Sequence, residues 1–164
     1  ITVILLPARG SVATSSKAGA TELNAELLIK MAEDFYERAC SEFAEAVAKR
    51  DPLGIRDSAE KAWNAVVQAV DALILSFMER IPSSHFERRR MLREIEQKDE
   101  RVEKLGVLDR YMARYKVLHG ETFYEGLIDV EQLETEMEKT RKLIEDIKAL
   151  LAERKKSITA DLNR

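Results

Sequence analysis

The sequence predicts an all-α fold, an antiparallel bundle of about five amphipathic helices with an extended N-terminal arm. Three observations carry this. Apolar residues recur at three- and four-residue steps along most of the chain. Only six Gly and three Pro punctuate 164 residues, which suits long helices better than many short strands. Asp57, Ser84 and Asp129 each stand three residues ahead of a Glu or Gln, the spacing of a capping box that opens a helix.

Residues 1–20 read as the arm, a β-prone run from Ile1 to Leu6 followed by Ser, Ala, Gly and Thr. Residues 21–160 read as a single helical-bundle domain. Leu28, Met31, Phe35, Ala39, Phe43 and Val47 place a first helix up to about Lys49. Asp51, Pro52 and Gly54 break it, and the Asp57–Glu60 box opens the second. Its stripe runs through Trp63, Val66, Val67, Val70, Leu73, Ile74 and Phe77, the most apolar segment and the expected centre of the core.

Ile81 and Pro82 end that helix. The Ser84–Glu87 box puts His85 in the first turn of helix three, with Phe86, Leu92, Ile95 and Val102 on its inner side. A break near Gly106 leads to a shorter helix carrying Leu108, Tyr111, Met112, Tyr115 and Leu118. Gly120 is expected to end it as a left-handed cap, with a loop to Ile128. Asp129–Gln132 caps the last helix, which should run to about Lys156.

A net charge of −3 gives no global field towards nucleic acid or anionic lipid, so any such binding must come from a local patch. Cys40 is the only cysteine, which excludes an intrachain disulfide and a cysteine-based zinc site. It reads as a small hydrophobe, and a cytoplasmic setting is expected. The apolar start stops at Pro7 and Arg9, too short to span a bilayer, so no membrane association is expected. There is no Gly-rich phosphate loop and no His-Glu-x-x-His. The Glu-x-x-His of di-iron bundles is missing, because Lys116 and Pro82 hold the required positions. No metal and no cofactor are expected.

The chemistry rests on the two histidines. Each follows an arginine by five positions: Arg80 before His85, and Arg114 before His119. Five residues turn an α-helix by about 500°, so such side chains stand about 140° apart. They meet only if the helix end unwinds at Gly120 or if copies face each other across a dimer axis. The combination suits RNA cleavage without a metal. A base takes the 2′-hydroxyl proton, a cation stabilises charge on phosphorus, and an acid protonates the leaving oxygen. Histidine titrates near neutrality, and arginine grips phosphate with a planar fork.

Plainer roles stand beside this one. A His at a helix C-terminus caps free carbonyls, and an Arg on an amphipathic helix is usually solvated. His85 reads as exposed at a loop. The basic run Arg88, Arg89, Arg90 and Arg93 is interleaved with Glu87, Glu94, Glu96, Asp99 and Glu100. With Lys98 and Arg101 further on it could hold phosphates near His85, but the interleaving favours a solvated face whose charges pair at helical spacing.

The segment Ala59–Ala72, with Trp63 inside an Ala-rich helix, resembles the second helix of the archaeal PaREP-type family. Leu118-His119-Gly-Glu-Thr-Phe-Tyr124-Glu-Gly126 resembles that family's LH-x-x-FYEG segment with one extra residue, and Ser84-His85 resembles its SH at the start of helix three. The resemblance spans about residues 22–152. That family looks like a branch of the HEPN superfamily. Those domains are helical bundles that usually dimerise, and many are metal-independent ribonucleases with an Arg, four to six residues, then His. Arg114 and His119 match that signature; Arg80 and His85 match the spacing but span a proline turn. Tyr115 departs from the polar residue, often Asn, that commonly follows the Arg, and several branches have lost catalysis.

The resemblance implies a homodimeric RNA-binding protein, possessing ribonuclease chemistry if the signature is active. Arg114 would contact phosphate and His119 would transfer protons. Tyr124 and Glu121 would line the site, with Arg80 and His85 as further substrate contacts. A cognate, antitoxin-like partner protein belongs to this picture. Two alternatives stand: a non-catalytic dimerisation module with residues 1–6 as an arm to a partner, and a small-nucleotide binder.

Overall fold

The computed structural model describes residues 16–163, with side chains described from Asn24 onward. The described residues form six α-helices and one π-helix, with no strand among them. They are α1 (Ser16–Lys49), α2 (Pro52–Met78), α3 (His85–Lys98), α4 (Glu100–Leu105), α5 (Val107–Arg114), the π-helix (Tyr115–Tyr124) and α6 (Val130–Leu162). No helix among them is long and apolar enough to cross a membrane. α1 begins inside the stretch read as an arm; residues 1–15, where the rest of that expectation falls, lie outside the described residues.

The caps explain most boundaries and correct several expected ones. α2 starts at Pro52, not after Asp57, because the Asp51 side chain accepts a hydrogen bond from the Leu53 amide at 3.1 Å. Proline at the first helical position has no amide to leave unpaired. α3 opens as expected, with Ser84 Oγ accepting from the Glu87 amide at 3.1 Å. Glu87 does not close the box on Ser84; its carboxylate accepts from the Ser83 amide and hydroxyl, both at 2.7 Å.

Asp99 splits the expected third helix. It ends α3 and caps α4 by accepting from the Arg101 amide at 2.9 Å. Phe86, expected inside, is 68% exposed. Gly120 is no left-handed cap but sits within the π-helix; the glycines with left-handed backbone are Gly106 (φ +59°) and Gly126 (φ +70°). Asp129 caps α6 through the Gln132 amide at 3.0 Å, and the helix runs on to Leu162.

α1 and α2 form an antiparallel hairpin across Arg50 and Asp51. Their approach is close: a Cβ added to Gly54 would meet Ala46 Cβ at 2.9 Å. Further along, Lys61 of α2 pairs with Glu42 of α1. α6 lies antiparallel to α1, pinned by Lys148–Glu33 at 2.5 Å and Lys155–Glu26 at 2.8 Å. It therefore runs parallel to α2, and the bundle is not antiparallel throughout. Arg154 of α6 caps the arrangement, its guanidinium 4.0 Å above the Phe77 ring.

α2 fills the centre. From Ala69 to Leu75 every residue of it is buried, as a stretch apolar nearly all round must be. Trp63, Val66, Val70, Leu73 and Ile74 are buried within one continuous core that also takes Leu92, Ile95, Tyr111, Leu118, Leu143 and Ile147.

Candidate functional site

One end of the core is aromatic and ionisable. Glu60 and Trp63 stand one turn apart on α2, His85 and Arg88 one turn apart on α3. Tyr111, Tyr115, His119 and Phe123 follow at four-residue steps along α5 and the π-helix. On an α-helix such a row drifts by about 40° per step. The π winding closes i→i+5 hydrogen bonds and holds more residues per turn, so the same step there falls short of a full turn and offsets the drift built up along α5. The rings consequently touch in series: Tyr115 to His119 at 5.4 Å between centroids, His119 to Phe123 at 6.1 Å.

Trp63 is the hub. Its ring lies 5.0 Å from Tyr111, 5.4 Å from Tyr115, 5.7 Å from His85 and 5.9 Å from His119. The two histidine rings are 6.0 Å apart. Tyr124 is exposed and stands edge-on to His119 at 4.9 Å. Arg56 of α2 fixes the end of the π-helix by donating to the carbonyls of Phe123 and Tyr124, at 2.8 and 3.2 Å.

The histidines are held in opposite tautomers. His119 Nδ1 lies 2.7 Å from Glu60 Oε2. A carboxylate accepts, so Nδ1 carries the proton and donates, and Nε2 is left with its lone pair when the ring is neutral. Burial pushes the Glu60 carboxyl above its ordinary range, against the hydrogen bond and charge of His119.

His85 is the reverse case. Its Nδ1 lies 3.1 Å from Arg88 Nη1 and 2.9 Å from Tyr111 Oη. Guanidinium only donates, so Nδ1 accepts and the ring proton sits on Nε2. Burial lowers the His85 pKa, and the charges of Arg88, His119 and Arg89 lower it further, which keeps the ring neutral. Neither Nε2 has a partner among the described residues, and neither is a buried orphan, so both meet solvent.

Arg88 is buried, not part of a solvated face. Its Nε and Nη2 donate to the two carboxylate oxygens of Asp71 at 2.7 and 3.1 Å, and both side chains are buried. Burial acts to lower the Arg88 pKa, but Asp71 and Tyr111 outweigh it and raise it.

The structure brings the two histidines together and pairs neither with its spaced arginine. Arg114 is buried and donates from Nε to Glu136 Oε2 of α6 at 2.5 Å, while His119 reaches Glu60 of α2. Arg80 is exposed and pairs with Glu87 at 2.5 Å. Glu121 is half-buried, 3.6 Å from Lys116 Nζ. Sequence reasoning missed Glu60, Trp63, Asp71, Tyr111 and Tyr115 as parts of the site, and reached Arg88 only as a member of the basic run. Asp71 carried a signal: it is the one charge between Val66 and Phe77, and a charge in a core helix demands a buried partner. Among the described residues no three His, Cys, Asp or Glu side chains converge as a metal-holding group.

No curated protein and no solved structure matches the chain. A family model does: that of the archaeal PaREP1/PaREP8 family matches residues 27–144, from α1 into α6. The matched stretch contains Glu60, Trp63, Asp71, His85, Arg88, Tyr111 and His119, the whole of the cluster just described. The chain belongs to the archaeal PaREP1/PaREP8 family.

Proposed function

We propose that this cluster is the active site of a metal-independent ribonuclease of HEPN-like fold that works as a homodimer in the cytoplasm. The observation that supports it is the pair of histidines, 6.0 Å apart between ring centroids and fixed in opposite tautomers. His119, oriented by Glu60, presents a basic Nε2, and it takes the proton from the RNA 2′-hydroxyl. The 2′-oxygen attacks phosphorus. His85 presents a neutral Nε2–H that donates to the phosphoryl oxygen on which charge builds up. The bond from phosphorus to the 5′-oxygen breaks, giving a 2′,3′-cyclic phosphate and a 5′-hydroxyl.

The departing oxygen needs a proton. In an in-line displacement it lies opposite the attacking oxygen, out of reach of the imidazole that serves the attack. The protonated His119 of a second copy supplies it, which is why the proposal is a dimer. Arg114 takes a positioning role here, holding α5 on α6, and the cation beside the chemistry is Arg88. Arg80 and Glu121 sit at the rim, Tyr124 against the His119 ring. A cognate inhibitor protein fits such an enzyme.

The test is cleavage of a labelled single-stranded RNA by purified protein in EDTA. His119→Ala should lower the rate by about 10²–10⁴-fold, the range for a lost general base. A 2′-deoxy substitution at the cut site should abolish the product. If His119→Ala and His85→Ala both cut at the wild-type rate, the assignment is wrong.

A further inference from the structure

We infer that α3 carries a track for single-stranded RNA, leading its backbone to the histidine pair; this rests on the ribonuclease reading for the identity of the polyanion. At about 100° per residue, Arg89, Arg93, Phe86 and Arg90 lie within about 140° of His85 on the helix wheel. That arc is the side turned away from the buried face of Arg88, Met91, Leu92 and Ile95. His85 forms one border of it, so the track begins at the site. From His85 to Arg93 it covers about 12 Å of helix.

The arginines of this arc have no ion-pair partner among the described residues. Each carboxylate of α3 has another partner: Glu87 is taken by Arg80 and Ser83, Glu94 by Lys98, and Glu96 by the Leu108 amide. Arg90 is only a more distant neighbour of Glu94. Among the described residues none makes an ion pair with Arg89, Arg90 or Arg93, so the charges expected to cancel at helical spacing do not. A protein with net charge −3 gathers three cations without ion-pair partners on the helix that carries His85.

Two exposed aromatic rings separate single strands from duplex. Phe86, next to His85 in the chain, and Tyr124, against His119, are each 68% exposed. The Arg89 guanidinium stands over the Phe86 ring, 6.0 Å from its centre, and the exposure of the ring leaves room for a base to stack. Unpaired bases stack on such rings whatever their sequence, whereas duplex bases are already stacked on each other. Phosphates on Arg89, Arg90 and Arg93, with bases on Phe86 and Tyr124, describe a sequence-tolerant single-strand binder.

Binding is measured by fluorescence anisotropy with a 2′-O-methyl oligouridylate, which cannot be cut, and with a self-complementary duplex RNA. The wild type should prefer the single strand. Arg89→Gln/Arg90→Gln/Arg93→Gln should weaken it and reduce the slope of log affinity against log salt by about 2, at about 0.7 per lost phosphate contact. Phe86→Ala should cost about tenfold on the single strand and nothing on the duplex. These are surface changes, and unchanged melting curves confirm the fold. In cleavage assays the triple variant should raise KM and spare kcat.

An unchanged affinity and salt slope in the triple variant overturns the track. So does equal binding of duplex with a neutral Phe86→Ala, or displacement of RNA by polyglutamate at equal charge concentration, which would mark an acidic protein as the partner. The two readings fail separately. If His119→Ala cuts normally while the arginine variant loses binding, the catalytic assignment falls and the track stands. If His119→Ala is inactive and the arginine variant binds normally, the reverse holds.

Discussion

His85 shows how one side chain ties the site to stability. Burial, with the charges of Arg88, His119 and Arg89, sets its pKa below the ordinary 6.5. The unfolded chain therefore protonates first as pH falls through about 6.5. Between that value and the folded pKa the unfolded state holds more protons, so stability falls with falling pH; above it neither state binds the proton. Glu60 and Asp71 have the opposite sign. Burial raises both carboxyls, so the folded state takes up their protons first and their contribution grows as pH falls towards the carboxylate range. Thermal melts should show a lower Tm at pH 5.5 than at pH 7.5, and His85→Gln should shrink that difference. An equal pH dependence in the variant would mean that His85 is not the titrating group.

At the scale of elements, the Arg114–Glu136 pair is a clamp between α5 and α6. Both side chains are buried, and Lys139 adds a second cation at 3.1 Å from Glu136. Removing Arg114 leaves the buried Glu136 with the half-exposed Lys139 alone: Arg114→Ala should cost up to about 3–5 kcal/mol in urea denaturation. Arg114→Met with Glu136→Leu removes both charges at similar volume and should recover most of that loss. Cleavage should recover with it. A double variant that regains stability but stays inactive would put Arg114 back on the phosphate.

The same scale shows what was readable in the residues. Ser84 and Asp129 announce their helices, because a capping box is a local signal. Asp51-Pro52 is equally local but ambiguous, because the pair that breaks α1 also starts α2. The two histidines and Tyr124 stood out as candidates. Glu60 and Asp71 did not, because their partners lie 59 and 17 residues away along the chain. The Tyr111–Phe123 row was hidden for another reason. Gly120 signals a helix end and so sets Phe123 in a loop, whereas the π-helix carries the chain through it to Tyr124.

For the whole molecule, Trp63 joins core to site. Its side chain is 1% exposed, and two tyrosine and two histidine rings surround it. Trp63→Ala should cost about 3–5 kcal/mol, a large part of the 5–15 kcal/mol that typically holds a domain together. Trp63→Phe should cost less and keep the histidines in reach of each other. Denaturant midpoints, read beside RNA cleavage, check both. As the only tryptophan in the chain, Trp63 also gives a direct fluorescence report on the site.

The π-helix has a bearing on how relatives of this chain should be compared. Each of its turns stores one residue more than an α-turn, so a single codon gained or lost between Tyr115 and Tyr124 can be absorbed by rewinding, with α5 and α6 left where they are. Length differences among relatives should therefore gather in this helical stretch rather than in the loops. An alignment that forbids gaps inside helices would then set the wrong residue against His119.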